Sequence, residues 1–270
     1  MLLRASQDIT ILSEDDPEPV ETVNPGGASR FLLTCEHAGR AVPSRLRGLG
    51  LDAPSMDLHI AYDIGAEGLS RALSSLLDAP LIMQRYSRLV VDSNRPFEAA
   101  DCMPGISDGT PVPANQLLSD EERSRRFAEI HAPFHQAVAA FLDRRETHAK
   151  PTILISVHSF TRRLFGRDRE WLLGALSNRD RTFADLFLKT FTAANPGIIA
   201  AHNEPYVVDD MSDYTIPVHG EARGISHVLL EIRNDQIATP DGQARWARLL
   251  SDALPRAAAT IDEKGNSLVR

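Results

Sequence analysis

Apolar positions along this chain keep two rhythms, and from about Ser29 the two take turns. Short unbroken apolar runs, several of them β-branched, predict buried strands at Phe31–Cys35, Pro80–Met83, Leu89–Val91, Thr152–Val157, Ile198–Ala201 and His227–Ile232. Leu69, Ala72, Leu73, Leu76 and Leu77 recur every three to four residues and predict a helix over Gly65–Leu77. Ser119-Asp120-Glu121-Glu122 reads as a capped helix start, a serine followed by acids in the first turn. That helix is expected to run past Phe127 and Ile130 and to kink at Pro133 before Phe134–Leu142. Further helices are expected at Arg181–Ala194 and Gln243–Leu254. Strands alternating with helices predict an α/β single-domain three-layer sandwich with a mixed, mostly parallel sheet between helices.

The acidic, proline-broken segment Glu14-Asp15-Asp16-Pro17-Glu18-Pro19 and the turn Asn24-Pro25-Gly26-Gly27 predict an N-terminal arm over residues 1–28, ahead of one catalytic domain over 29–270. Ala99–Leu118 and Tyr206–Ser226 read as long loops, a length that in compact domains often marks lids or pocket walls.

The strand ends carry the candidate chemistry. His158 closes the run Ile153–Val157, Glu231 interrupts Val228–Ile232, and Glu36-His37 follows Leu32–Cys35. Polar residues at the carboxyl ends of buried strands lie where α/β sheets hold ligands. Two histidines with carboxylates there are the raw material of a hydrolytic zinc site. Neighbouring side chains of a strand face opposite ways, so Glu36 and His37 can share a metal only if the chain has left the strand. Asp63, just before the first helix, is either a metal ligand or the helix cap, and His59 suits a supporting role. Arg88 and the Asn94-Arg95 turn suit a carboxylate, which a guanidinium grips bidentately. Glu231 is a candidate general base, with Arg233 as its expected partner on the same strand face. The small-residue turn Ala38-Gly39-Arg40 would let backbone approach a ligand closely. His131 and His135 are spaced i, i+4 without the glutamate of an HExxH helix, and read as surface or packing residues.

A formal net charge of -8 argues against a general nucleic-acid or anionic-membrane binder. Two cysteines without a CxxC pair exclude a disulfide scaffold or cysteine-rich zinc module. With no long apolar span and no secretory h-region, a cytoplasmic enzyme is expected.

Ser156–Phe160, Val91–Arg95 and Leu230–Arg233 resemble the third metal ligand, the carboxylate-binding Asn-Arg and the catalytic glutamate of zinc carboxypeptidases, which implies a zinc-exopeptidase-like fold. The carboxypeptidase His-x-x-Glu is absent, because Arg40 stands at that offset from His37. A closer resemblance, over roughly residues 30–250, is to the N-formylglutamate amidohydrolase family. It rests on Cys35–Gly39, Asp63–Ala66, Ser87–Pro96, Asn203–Tyr206 and Glu231–Asp235. The resemblance implies metal-dependent hydrolysis of an acidic N-acyl amino acid, N-formyl-L-glutamate giving formate and glutamate. Zn²⁺ or another divalent metal would sit on His37, His158 and one carboxylate, Asp63 or Glu36. Glu231 would act as base, and Arg88, Asn94 and Arg95 would hold the substrate carboxylates beside Tyr214 and His219. An exopeptidase and a non-catalytic acidic-ligand binder on the same scaffold are the alternatives, and the oligomeric state is left open.

Overall fold

A computed structural model describes residues 10–149 and 151–267. Seven strands form the central sheet: β1 (Val20–Val23), β2 (Phe31–Cys35), β3 (Leu81–Gln84), β4 (Ile153–Phe160), β5 (Leu173–Leu176), β6 (Ala200–His202) and β7 (Ser226–Arg233). Their order is β1-β3-β2-β4-β7-β5-β6. β1 pairs antiparallel with β3 and β5 antiparallel with β7, and every other neighbouring pair is parallel. This is the mixed, mostly parallel sheet between helices that the alternating pattern predicts.

Side-chain parity sorts the two faces. On one, Phe31, Leu33 and Cys35 of β2, Ile153, Ile155 and Val157 of β4 and Val228, Leu230 and Ile232 of β7 share the main core. Three helices cover it: α1 (Ala66–Leu77), α4 (Thr182–Ala194) and α5 (Pro240–Ser267), with Leu69, Leu73, Phe183, Phe187, Phe191, Trp246 and Leu250 turned inward. The other face starts apolar, where Leu32, Ile82 and Leu154 meet Phe134, Val138, Phe141 and Leu142 of α3 (Ala132–Thr147). The same alternation then places Ser156 and His158, Glu231, and Thr34 with Glu36 along this second face toward the carboxyl ends of its central strands. Loops and a short π-helical turn, Ile216–Glu221, cover that end.

Several elements depart from the sequence-based expectation. Leu89–Val91 is a turn, with Val90 N–H donating to Ser87 O, and its apolar run fills a satellite core with Tyr86, Cys102 and Met103 instead of a sheet. An apolar run signals burial and does not by itself signal pairing. Before α3, α2 (Asp120–Arg126) passes through a π-helical turn, Phe127–His131, so the extra residue is absorbed ahead of Pro133, which takes a first-turn position. α5 continues through Pro255 where its end was expected at Leu254, because Ala257 and Ala258 still pack on the core. β1 and β5 lie outside the strands expected from the sequence. The described part of the stretch expected as an arm packs on the body: β1 extends the sheet and Ile11 is buried, its N–H bonded to Glu129. Residues 1–9 lie outside the described residues. No described helix is long and apolar enough to cross a membrane.

Candidate active site

His158 and Glu231 are paired in register on adjacent parallel strands, so both side chains leave the same sheet face side by side. His37 arrives from the next strand but two residues after β2 has ended, in a turn that frees it from strand parity. Asp63 is delivered by the loop before α1, tied to the same turn by its N–H bonding His37 O at 2.9 Å. Helix α1 takes Gly65 at its cap position, at φ 81° and without a side-chain cap, so Asp63 does not cap it. A Cβ at Gly65 would meet Ile237 O at 2.1 Å, which is why glycine stands there. The Asp63 carboxylate instead accepts from Ser159 N–H at 3.0 Å and faces the two histidines.

Three ligand-type atoms converge. His158 Nδ1 lies 3.1 Å from His37 Nδ1 and 3.0 Å from Asp63 Oδ2, and His37 Nδ1 lies 3.5 Å from Asp63 Oδ2. All three residues are buried. Each histidine gives its other nitrogen to a carboxylate: His37 Nε2 to Asp92 Oδ1 at 2.6 Å, and His158 Nε2 to Glu36 Oε2 at 3.0 Å. Those bonds place the ring proton on Nε2 and turn two Nδ1 lone pairs and an anionic oxygen toward one point. Such a set repels itself without a positive charge at its centre, which a proton or a cation can supply. Tetrahedral zinc, with bonds of about 2.0–2.2 Å, separates its ligand atoms by roughly 3.3–3.6 Å. The spacing, the His-His-carboxylate composition and the carboxylates behind each imidazole fit a divalent metal with an open position.

Glu36 is left out of this group. Its carboxylate accepts from Ser156 Oγ at 2.8 Å and Thr215 Oγ1 at 2.7 Å, on the far side of the His158 ring. Burial opposes its ionisation, but the hydrogen bond and charge of His158 prevail and lower its pKa to about 2. Burial likewise opposes ionisation of Asp63, where the charge of His37 and the bond from His158 hold the carboxyl well below its usual range. His158 is held well above the ordinary histidine range by Asp63 and Glu36, in spite of burial.

Glu231 stands apart from these pairs. Arg233, its expected partner, has turned at the strand end to Asp235 (2.8 Å), and Glu231 Oε2 is buried without a hydrogen-bond partner. Desolvation raises the Glu231 pKa to about 8. A buried carboxylate with a free oxygen is costly unless function retains it.

His37, His158 and Glu231 line a cavity of about 440 Å³, with Asp63 just behind the two histidines. Arg88, Asn94 and Arg95 line it. Arg88 grips Asp92 Oδ2 through Nε (3.1 Å) and Nη2 (2.7 Å), and Arg95 Nε donates to Asp101 at 2.8 Å. Asn94 holds the wall together: its Nδ2 donates to Asp213 at 2.8 Å and its Oδ1 accepts from the N–H groups of Tyr214 and Thr215. Tyr214 and His219 do not reach the cavity. The π-helical turn Ile216–Glu221 carries His219 to His135, and Tyr214 packs on the His131 and His135 rings.

Those two histidines are buried and purposeful. His135 Nε2 donates to Ser93 O at 2.6 Å and His131 Nε2 to Arg95 O at 3.0 Å, so the i, i+4 pair ties both carbonyls flanking Asn94 to the helix. Gly39 also differs from expectation: a Cβ there would lie 1.9 Å from Arg85 O, so its smallness admits neighbouring backbone, not a ligand. Of the site, the sequence reading missed the Asp92 bond to His37, the Glu36–Thr215 link, and Asp213, whose pKa burial raises to about 6. Asp92 was visible as part of a turn, but nothing local marks it as the residue behind a histidine 55 positions away.

The model of the N-formylglutamate amidohydrolase family matches residues 29–238. A curated N-formylglutamate deformylase from Pseudomonas putida is 26% identical over 217 residues, 73% of this chain and 73% of that protein. The gene product Atu2144 from Agrobacterium tumefaciens has a solved structure 34% identical in sequence, with a TM-score of 0.90 over 93% of this chain and 99% of its own. An N-formylglutamate amidohydrolase from Ralstonia eutropha JMP134 shares the fold, at 17% identity and a TM-score of 0.64, over 90% of this chain and 98% of its own.

Proposed function

Because this chain belongs to the N-formylglutamate amidohydrolase family, we propose that it hydrolyses the formyl amide of N-formyl amino acids, with N-formyl-L-glutamate cleaved to formate and L-glutamate. The observation that carries the reading is the meeting of His37, Asp63 and His158 beside the unpartnered carboxylate of Glu231 in one cavity. When bound to that triad, a zinc ion would act as a Lewis acid, polarising the formyl carbonyl and acidifying water.

The chain's own residues do the rest. Arg95 and Arg88 receive one substrate carboxylate, with Asn94 beside them. Asp92 and Glu36 fix the tautomers of His37 and His158, so that both Nδ1 atoms face inward. In its ionised form Glu231 takes a proton from the attacking water as the carbon–oxygen bond forms, then gives it to the amide nitrogen as the carbon–nitrogen bond breaks. The products are formate and the ammonium form of the amino acid, which balances one water consumed. Tyr214 and His219 serve as wall supports, away from substrate. We place this chemistry in the cytoplasm, where two buried free cysteines such as Cys35 and Cys102 are ordinary.

The test is formate release from N-formyl-L-glutamate by purified protein, alongside its metal content. Turnover that is lost on chelation and restored by zinc is expected. No formate from any N-formyl amino acid, with the metal site filled, would overturn the reading.

A further inference from the structure

The outer half of the cavity is built differently from its floor. Two short hairpins flank it, Ile106–Ser107 with Thr110–Pro111 and Arg163–Leu164 with Arg167–Asp168. Each turns on two residues of positive φ, Asp108-Gly109 (41°, 76°) and Phe165-Gly166 (48°, 77°). Asp-Gly is an ordinary choice for such a turn, because aspartate tolerates the left-handed region. Phenylalanine is not: a bulky residue there is a conformational outlier, and such strain gathers at ligand clamps. Phe165 is also 78% exposed while lining the cavity. Ile106 (63%) and Val207 (68%) line the same mouth, with Leu164 and Val208 behind them.

Charge at this end points the same way. The lining guanidinium groups are Arg88 and Arg95, and each already holds aspartates: Asp92 and Asp63 for the first, Asp101 for the second. The outer charged residues are acidic, Asp101 and Asp108, with Asp108 Oδ2 3.2 Å from His59. One substrate carboxylate can join the arginines. A second, placed outward, would meet Asp101 and Asp108 and no further lining guanidinium.

We infer that the outer half of the cavity receives a large apolar side chain, so that N-formyl derivatives of amino acids such as leucine, methionine and phenylalanine are substrates of this chain. This rests on the proposed deformylase reading and extends its substrate class beyond the acidic amino acid. Filling the mouth buries Phe165, Ile106 and Val207 against the ligand, and a well-placed methylene in such a pocket discriminates by roughly 10–200-fold.

The experiment compares kcat/KM for N-formyl-L-leucine, -methionine and -phenylalanine with that for N-formyl-L-glutamate, in the wild-type chain and in Phe165→Asn. Asparagine suits the left-handed turn, so the variant keeps the hairpin, and its unfolding midpoint should equal or exceed the wild type's. Wild-type kcat/KM for the apolar substrates should at least match that for N-formyl-L-glutamate. In the variant it should fall about tenfold further than the glutamate value, through KM. A wild-type preference for glutamate above about tenfold, or an equal loss on all substrates, would overturn the inference and leave the deformylase reading intact. No turnover of any N-formyl amino acid would instead overturn the deformylase reading, and this inference with it.

Discussion

Replacing His131 by leucine tests whether the Asn94-Arg95 turn is held from behind by a neutral imidazole. His131 is buried, stacks on Phe127 with ring centroids 3.7 Å apart, and makes one hydrogen bond, to Arg95 O. Leucine fills similar space and leaves that carbonyl unsatisfied, a loss of about 1–3 kcal/mol at pH 7. Acid changes the comparison. Burial lowers the His131 pKa to about 4, against an ordinary 6.5. The unfolded chain therefore binds a proton below pH 6.5 that the folded protein refuses until about pH 4, and wild-type stability drains away across that window. From pH 7 to pH 5 this one residue costs the wild type about 2 kcal/mol, and the leucine variant is spared it. Urea unfolding of both proteins at the two pH values, with equal m-values, reads the difference. The variant's deficit should shrink by about 2 kcal/mol at pH 5, to within about 1 kcal/mol of zero on either side. Comparing the two proteins cancels the opposite linkage of Asp213, whose raised pKa acts alike in both. A deficit equal at both pH values would show that His131 is not held neutral and would refute the reasoning. The kinetic counterpart is a higher KM for N-formyl-L-glutamate, as Arg95 loses its seat, with kcat little changed.

Other outcomes follow from the same geometry. Asp63→Ala and His158→Ala should each cut bound zinc, measured by elemental analysis, by 10-fold or more, roughly the scale seen even for supporting partners of metal ligands. Glu231→Gln should retain zinc and the fold yet lower kcat by about 10²–10⁴; full activity in that variant would remove Glu231 from the mechanism. Chelation should lower both activity and the thermal midpoint, since an ion bound only by the folded state stabilises it, and added zinc should restore both. Gly39→Ala forces a Cβ into the Arg85 backbone and should cost about 1–3 kcal/mol. Because His37 lies two residues upstream, zinc occupancy should drop with stability in that variant.

What could be read from the chain and what could not divide along one physical line. Strand parity is local, so Ile153, Ile155 and Val157 against Ser156 and His158, and Leu230 and Ile232 against Glu231, already separate a core face from a reactive face. Registering β4 on β7 then makes neighbours of His158 and Glu231. Helix α1 was equally legible from its periodicity, yet whether Asp63 capped it or faced the two histidines turned on Gly65, whose left-handed φ lets the chain start the helix two residues later. Glu36 was undecidable for a different reason. It continues the Leu32–Thr34 face of β2, and only the approach of Thr215, 179 residues away, and of the His158 ring shows that its charge is spent behind the imidazole. The Arg233 error has the same root. Two residues apart on one strand face is a correct local inference, but β7 ends there, and a strand-end arginine meets Asp235 in the turn before it can fold back. That leaves Glu231 with its oxygen unclaimed, and the misassigned partner becomes the strongest structural sign that the carboxylate is kept for chemistry.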